Sequence, residues 1–575
     1  MRIPAPTRAR SFVAPAYALV LALVVTAPLL APGYLLLRDA VSTPRSYLSD
    51  SALGLSEAAP RALPQDFVVA LASGLVDGGL VVKVLLVTGL FLAGWSAARL
   101  AAAVVPDAGV AGQFVAVTIA IWNPYLAERL LQGHWSLVVG YGCLPWVATT
   151  MLQLRTSGPH AGAGVCALVF WIALAGLTPT GLMLAATVAV TCVFAPGSGR
   201  PRWWCAAVGL GTAVLVALPW LAAATVADSL SSTQAEGVRA FAARAEPGLG
   251  TLGSLASLGG IWNASAVPAS RTTVFAVIAA VVLLSVVAVG LPTLVRHRAA
   301  VPLVILAAVA VVVPAAMATG PGMAFVEAII RTLPGLGVVR DAQKWVALAV
   351  PAYSLAGAAA VITLRHRINA ALAALICCAA LVATLPDLAW GVGGKLVAVQ
   401  YPPAWTAVSA LINADPRPVA VLPVDSMRRF AWAHDAPVLD PLPRWVRADV
   451  LTTGDLTIAG RTVPGEGNRA RDVQQLLLTG AGRDKLAAAG VGWVAVEGNV
   501  ESNWATSGSP PSLPVAYHDG DLTLYRVGGD RPHPRGRGIV LAAHWLWLAV
   551  LAAAGARLLA ASLAVRVRQA RARRA

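Results

Sequence analysis

The stretch Leu35-Leu36-Leu37-Arg38-Asp39-Ala40 decides how this chain is read. It closes the first apolar run, residues 12–37, which is long enough to cross a bilayer, since about 20 apolar residues span the hydrocarbon core. It then delivers an Arg-Asp pair to the point where the chain should leave the membrane. Charge at that depth is costly unless it serves a site or reaches water. A long polar loop follows, with Asp50, Glu57, Arg61 and Asp66 read as solvated loop charges. The rest of the chain is expected to be a membrane scaffold that holds this loop over a pocket.

Composition supports the scaffold. Of 575 residues, 58% are hydrophobic and only 12% charged, with a mean hydropathy of +0.71. That balance excludes a soluble globular protein. The net charge of +16 comes from basic residues clustered between apolar runs and in the tail from Arg566 to Arg574. Such a distribution is a topology signal with some attraction to anionic lipids, and no aromatic-basic module points to nucleic acid. All six cysteines lie inside apolar runs, as small core residues rather than disulfides or metal ligands. Met1 to Arg10 and the apolar stretch behind it have the form of a signal sequence. No small-residue cleavage site follows, so the stretch is expected to stay as the first span.

Apolar runs recur at 12–37, 80–104, 111–122, 134–153, 161–177, 179–195, 203–224, 272–295, 301–318, 344–363, 369–388 and 538–562. They predict an all-α polytopic membrane protein of about twelve transmembrane helices. A cytoplasmic N-terminus puts Arg155, Arg200, Arg202, Arg296, Arg298, Arg365, Arg367 and the basic tail inside, so both termini are read as cytoplasmic. Every long polar segment then falls outside. Residues 390–536 read as a small extracytoplasmic α/β domain, with strands at Pro418–Val424 and Val491–Val496, a helical stretch from Ala470 to Ala489, and a hairpin around Asp519-Gly520. The expected organisation is a membrane domain 1–389, an outer domain 390–536, and a last span with a basic tail, 537–575.

Three polar clusters carry candidate chemistry. Asp39 is placed to act as a general base toward a hydroxyl, or else to pair with Arg38. In Trp122-Asn123-Pro124-Tyr125 through Gly133-His134-Trp135, Asn-Pro stops one helix and starts the next. Glu128, Arg129, Gln132 and His134 then crowd a segment too polar for lipid, facing a cavity or forming an internal ion pair. In Arg340-Asp341-Ala342-Gln343-Lys344-Trp345, Arg340 and Lys344 suit a lipid phosphate, Arg as a fork and Lys as a point charge. The competing reading pairs Lys344 with Asp341. Among Trp405, Trp432, Trp445, Trp493 and Trp504, core packing competes with sugar stacking. No Walker loop, zinc spacing, nucleophile elbow or dinucleotide fingerprint is present. A one-sided site without nucleotide machinery points to a lipid-borne donor.

This architecture resembles the GT-C superfamily of membrane glycosyltransferases, which place a catalytic acid in the first outer loop near the end of the first span. The three clusters also look like those of an actinobacterial integral membrane family of unknown function. The resemblance covers residues 1–390. It implies a polyprenyl-phosphate-linked sugar donor and an envelope glycan or glycolipid acceptor at the outer face of the cytoplasmic membrane. Asp39 and Glu128 become the catalytic candidates, with Arg38, Arg129, His134, Arg340, Asp341 and Lys344 as substrate-binding ones. Many GT-C enzymes carry two adjacent acids where they use a divalent metal. This chain has Arg38-Asp39, so no cofactor is called for and a metal is left without support. The alternatives are a transporter or flippase of a lipid-linked intermediate, and a scaffold whose outer domain binds a glycan.

Overall fold

A computed structural model describes residues 10–57, 62–156, 162–227, 237–333, 336–424, 426–434, 436–458, 461–498, 513–531 and 534–572. Arg61 and Trp504 lie outside them.

The chain is mostly helical. Among the described residues eight helices are long and apolar enough to cross a membrane, or up to ten spans if each of two bent pairs counts as one. The bends are 92° between Val301–Met317 and Gly320–Thr332 and 75° between Ala370–Ala383 and Pro386–Gly394. Ala163–Ala175 and Pro179–Val193 are apolar but short, at about 1.5 Å of rise per residue against a core of about 30 Å. Each expected run thus has its helix, but about twelve complete spans is more than length and composition establish.

The first run corrects the sequence reading. Helix α1 (Arg10–Thr26) gives way to a short 3-10 turn over Ala27–Leu30, where Pro28 removes a donor and Pro32-Gly33 follows. Tyr34–Leu37 is not helical: it is strand β1, paired antiparallel with β2 (Ala40–Val41) and with β3 (Ala398–Val399). Gly33 lies at φ +125, and a Cβ there would sit 2.6 Å from the Val399 carbonyl oxygen. Asp39 therefore stands in a strand-to-strand turn rather than at the lip of a span. Period-two alternation explains why leucines serve here. Leu35 and Leu37 pack into the core of the membrane helices, while Leu36 packs with Val399, Trp405 and Trp445.

Beyond β3 the chain builds a mixed sheet from β4 (Val419–Leu422), β7 (Val450–Leu451), β10 (Trp493–Glu497), β11 (Val515–His518) and β12 (Leu522–Arg526), in the order β11-β12-β10-β4-β7. Two small hairpins, β5 (Met427–Arg429) with β6 (Pro437–Leu439) and β8 (Leu456–Ile458) with β9 (Arg461–Val463), complete the strands. The sheet's faces follow the same alternation. Ala420, Leu422, Val494 and Val496 face the helices Asn468–Leu478 and Arg483–Ala488, whereas Val419, Val421, Trp493 and Ala495 face the core that receives Leu36. Trp405, Trp445 and Trp493 are core residues, and Trp432 packs against them.

The first loop is sutured to this later segment. Arg38 N–H donates to the Pro437 carbonyl at 2.7 Å, and Leu439 N–H donates to the Arg38 carbonyl at 2.9 Å. Two of its acids, Asp50 and Asp66, are paired rather than solvated, while Glu57 is exposed. Asp50 bonds Arg537, Asp66 meets Arg444 at 3.4 Å, and Glu57 accepts from the Arg469 backbone N–H at 2.8 Å.

Candidate functional site

The site is built on helix α5 (Pro124–Gln132). Asn123 breaks the chain before it: its amide donates to the Ile119 carbonyl at 2.8 Å, closing the previous helix. Its side-chain oxygen caps the Leu126 N–H at 3.1 Å, opening the next. Such a cap is worth about 1 kcal/mol. Gly133 ends α5 at φ +85, and a Cβ there would lie 2.3 Å from Ala40 N and 2.4 Å from the Leu37 carbonyl oxygen. Only glycine lets the end of α5 press against the β1–β2 turn. The contact brings His134 to Asp39.

His134 Nε2 lies 2.9 Å from Asp39 Oδ2, and Gln132 Nε2 donates to the same oxygen at 3.3 Å. On its other side His134 Nδ1 is 3.2 Å from Arg129 Nη1. A guanidinium can only donate, so Nδ1 accepts and the ring proton sits on Nε2, aimed at the carboxylate. Arg129 grips Asp341 with both nitrogens, at 3.0 and 3.3 Å, and also bonds Gln343. Lys344 Nζ reaches Asp341 Oδ2 at 3.4 Å. The result is a relay, Asp39–His134–Arg129–Asp341–Lys344, whose two ends meet solvent: the Asp39 side chain is 34% exposed and that of Lys344 22%.

Burial alone would raise the Asp39 pKa, but the His134 hydrogen bond, helped by Gln132 and the Lys344 charge, holds it below the usual carboxylate value. Burial lowers the His134 pKa, with Lys344 and Arg129 adding to it against the pull of Asp39. Burial likewise opposes ionisation of Asp341, yet Arg129 and Lys344 keep it well below the usual range. The site holds an ionised acid beside a neutral imidazole. Among the described residues no donor bonds Asp39 Oδ1.

The remaining candidates behave differently. Glu128 is fully buried, and its oxygens accept from Gly260 N–H at 3.1 Å, Ile261 N–H at 3.2 Å and Gln343 Nε2 at 2.8 Å. This geometry replaces the catalytic expectation with an anchoring one, because a carboxylate that folds a loop onto α5 has no face left for substrate. Arg129 is equally enclosed and links side chains rather than binding ligand. Arg38, at φ +49, donates to the carbonyls of Leu131 and Ser265. Arg340 stacks on Phe241, 4.3 Å from the ring centroid. Asp341 does pair with Lys344, as the competing reading had it. Two contributors had no role assigned from the sequence: Gln343, and Asn263, whose amide donates to Gln132 Oε1 at 2.7 Å. Their only signal was a polar residue beside an ion pair. Among the described residues no group of three or more His, Cys, Asp or Glu could hold a metal ion.

The fold defines the class: a polytopic membrane architecture with a strand-bearing segment packed against its helices. It is similar to the cryo-EM structure of the arabinofuranosyltransferase AftD from mycobacteria, in one class of a single-residue mutant. The TM-score is 0.55 at 16% identity, over 92% of this chain and 42% of AftD. A second class of the same mutant aligns with TM-score 0.46 over the same shares. This chain therefore spans less than half of AftD's length, and the likeness is one of fold. No family model and no curated protein sequence matches the chain.

Proposed function

We propose that this protein is a membrane glycosyltransferase that transfers a sugar from a polyprenyl-phosphate-linked donor to an envelope glycan or glycolipid. Asp39 is its general base. The observation that carries the reading is the asymmetry of that carboxylate: Oδ2 is held by His134 and Gln132, while Oδ1 is left to face an incoming hydroxyl. The acceptor oxygen bonds the anomeric carbon as its proton passes to Oδ1. The bond from that carbon to the donor phosphate breaks, its electrons leaving with the polyprenyl phosphate. Lys344, partly exposed beyond Asp341, supplies positive charge for that leaving group. In this reading the termini are cytoplasmic, the membrane domain covers 1–389, the α/β segment 390–536 is an outer domain, and 537–575 re-enters the membrane.

The test is complementation. Asp39→Asn keeps size and removes basicity; expressed at normal level in a strain lacking the gene, it should fail to restore envelope glycan composition. Full restoration would remove Asp39 from the mechanism.

A further inference from the structure

A second polar site shares no residue with the Asp39 relay. Arg45, Tyr47 and Leu48 of the first loop, Ala70 and Leu71, Pro416, Arg447 and Arg537 line a cleft of about 450 Å³. That volume falls in the range of small-ligand pockets, about 300–1,000 Å³. Three arginines from three distant parts of the sequence line it, and among the described residues no acid does. Arg537 is balanced by Asp50 and also donates to the Leu48 carbonyl. Arg45 donates to neutral partners, the Ala70 carbonyl at 2.9 Å and Ser73 Oγ at 3.1 Å. Arg447 is exposed and lies 5.1 Å from the Tyr47 ring centroid, with Arg45 5.2 Å from the same ring. Among the described residues neither Arg45 nor Arg447 meets a carboxylate. Gathering like charges around one ring costs energy that an anion in the cleft would offset.

The setting names the source of the anion. Arg537 is the first residue of the last span-length helix, Arg537–Ala572, and Ile539, two residues on, is 65% exposed. On the other wall, a Cβ on Gly74 would lie 2.9 Å from Arg45 Nη1, and the next residue, Leu75, is 90% exposed. Apolar side chains suited to lipid thus begin on both sides of the arginines. That arrangement belongs at headgroup level, where arginine forks phosphate and leaves apolar chains in the bilayer. We propose that this cleft binds the phosphate of an anionic membrane lipid, at a site separate from the Asp39 relay.

Native mass spectrometry of the full chain in neutral detergent tests this with dioctanoyl phosphatidylglycerol, dioctanoylglycerol and inorganic phosphate. The phosphatidylglycerol should bind, dioctanoylglycerol should not, and Arg447→Gln should weaken binding about tenfold, as for the loss of one charge-assisted hydrogen bond. Arg447→Lys should fall between the two. Arg447 is exposed, so these variants should unfold at the wild-type temperature, and they decide the matter even if Arg45→Gln misfolds. Unchanged binding in Arg447→Gln, equal binding of dioctanoylglycerol, or full competition by equimolar inorganic phosphate would each overturn the assignment. Asp39→Asn should bind the lipid as wild type does, so failure here and failure of the proposed reaction are separable.

Discussion

Two carboxylates meet opposite fates: Glu128 on α5 and Asp39 in the turn that the end of α5 touches. Glu128 is sealed, with both oxygens taken by backbone amides and Gln343. Asp39 is a third exposed, with one oxygen taken and one open. The same short helix thus holds the 260–261 loop through one acid and abuts the turn that carries the other. Polarity and proximity do not separate an anchor from a reactive group. The number of donors already spent does.

The comparison can be broken where it is sharpest. Asp39→Asn should reduce sugar transfer by about 10²–10⁴-fold, the usual contribution of a general base, with little change in thermal unfolding of the purified protein. A large stability loss instead would make Asp39 an anchor like Glu128. Next in size, Arg129→Ala should cost about 3 kcal/mol of stability, because it leaves buried Asp341 with Lys344 as its remaining cation and unpartners Gln343; calorimetry in detergent reads this directly. A wild-type unfolding temperature would mean the relay is not structural.

A smaller effect concerns pH. His134 helps hold the Asp39 pKa down, so His134→Phe should move the acid limb of the kcat/KM profile to higher pH. In the intact protein the His134 pKa is lowered. Its contribution to stability is therefore full above the unfolded value of about 6.5 and is lost as pH falls through the lower folded value. Chemical denaturation between pH 7 and 5 should show that decline and lose it in His134→Phe. Smallest of all, Asn123→Ala should cost about 1 kcal/mol through the lost cap, with activity kept in proportion to folded protein.

The sequence made the membrane class plain because apolar runs encode their environment locally. It also located the α5 segment, since Asn-Pro and Gly133 are backbone instructions that need no partner. Two things were not local. Tyr34–Leu37 has the composition of a span end, and only its pairing with Val399 and the alternate packing of Leu36 reveal a strand. Glu128 and Asp39 are both acids near apolar sequence. What distinguishes them is supplied by residues 260, 261 and 343 in one case and 132 and 134 in the other, and spacing along the chain carries no trace of that.

The pairing of Arg38 with β6 has a consequence for synthesis. The turn that presents Asp39 is among the first polar segments to be translated, yet the strand that brackets it, Pro437–Leu439, is made about 400 residues later. At roughly 5–20 residues per second, the turn waits tens of seconds for its partner. During that interval a nascent chain holds its earlier helices but not a finished Asp39 turn, which is completed only after about 400 further residues are made.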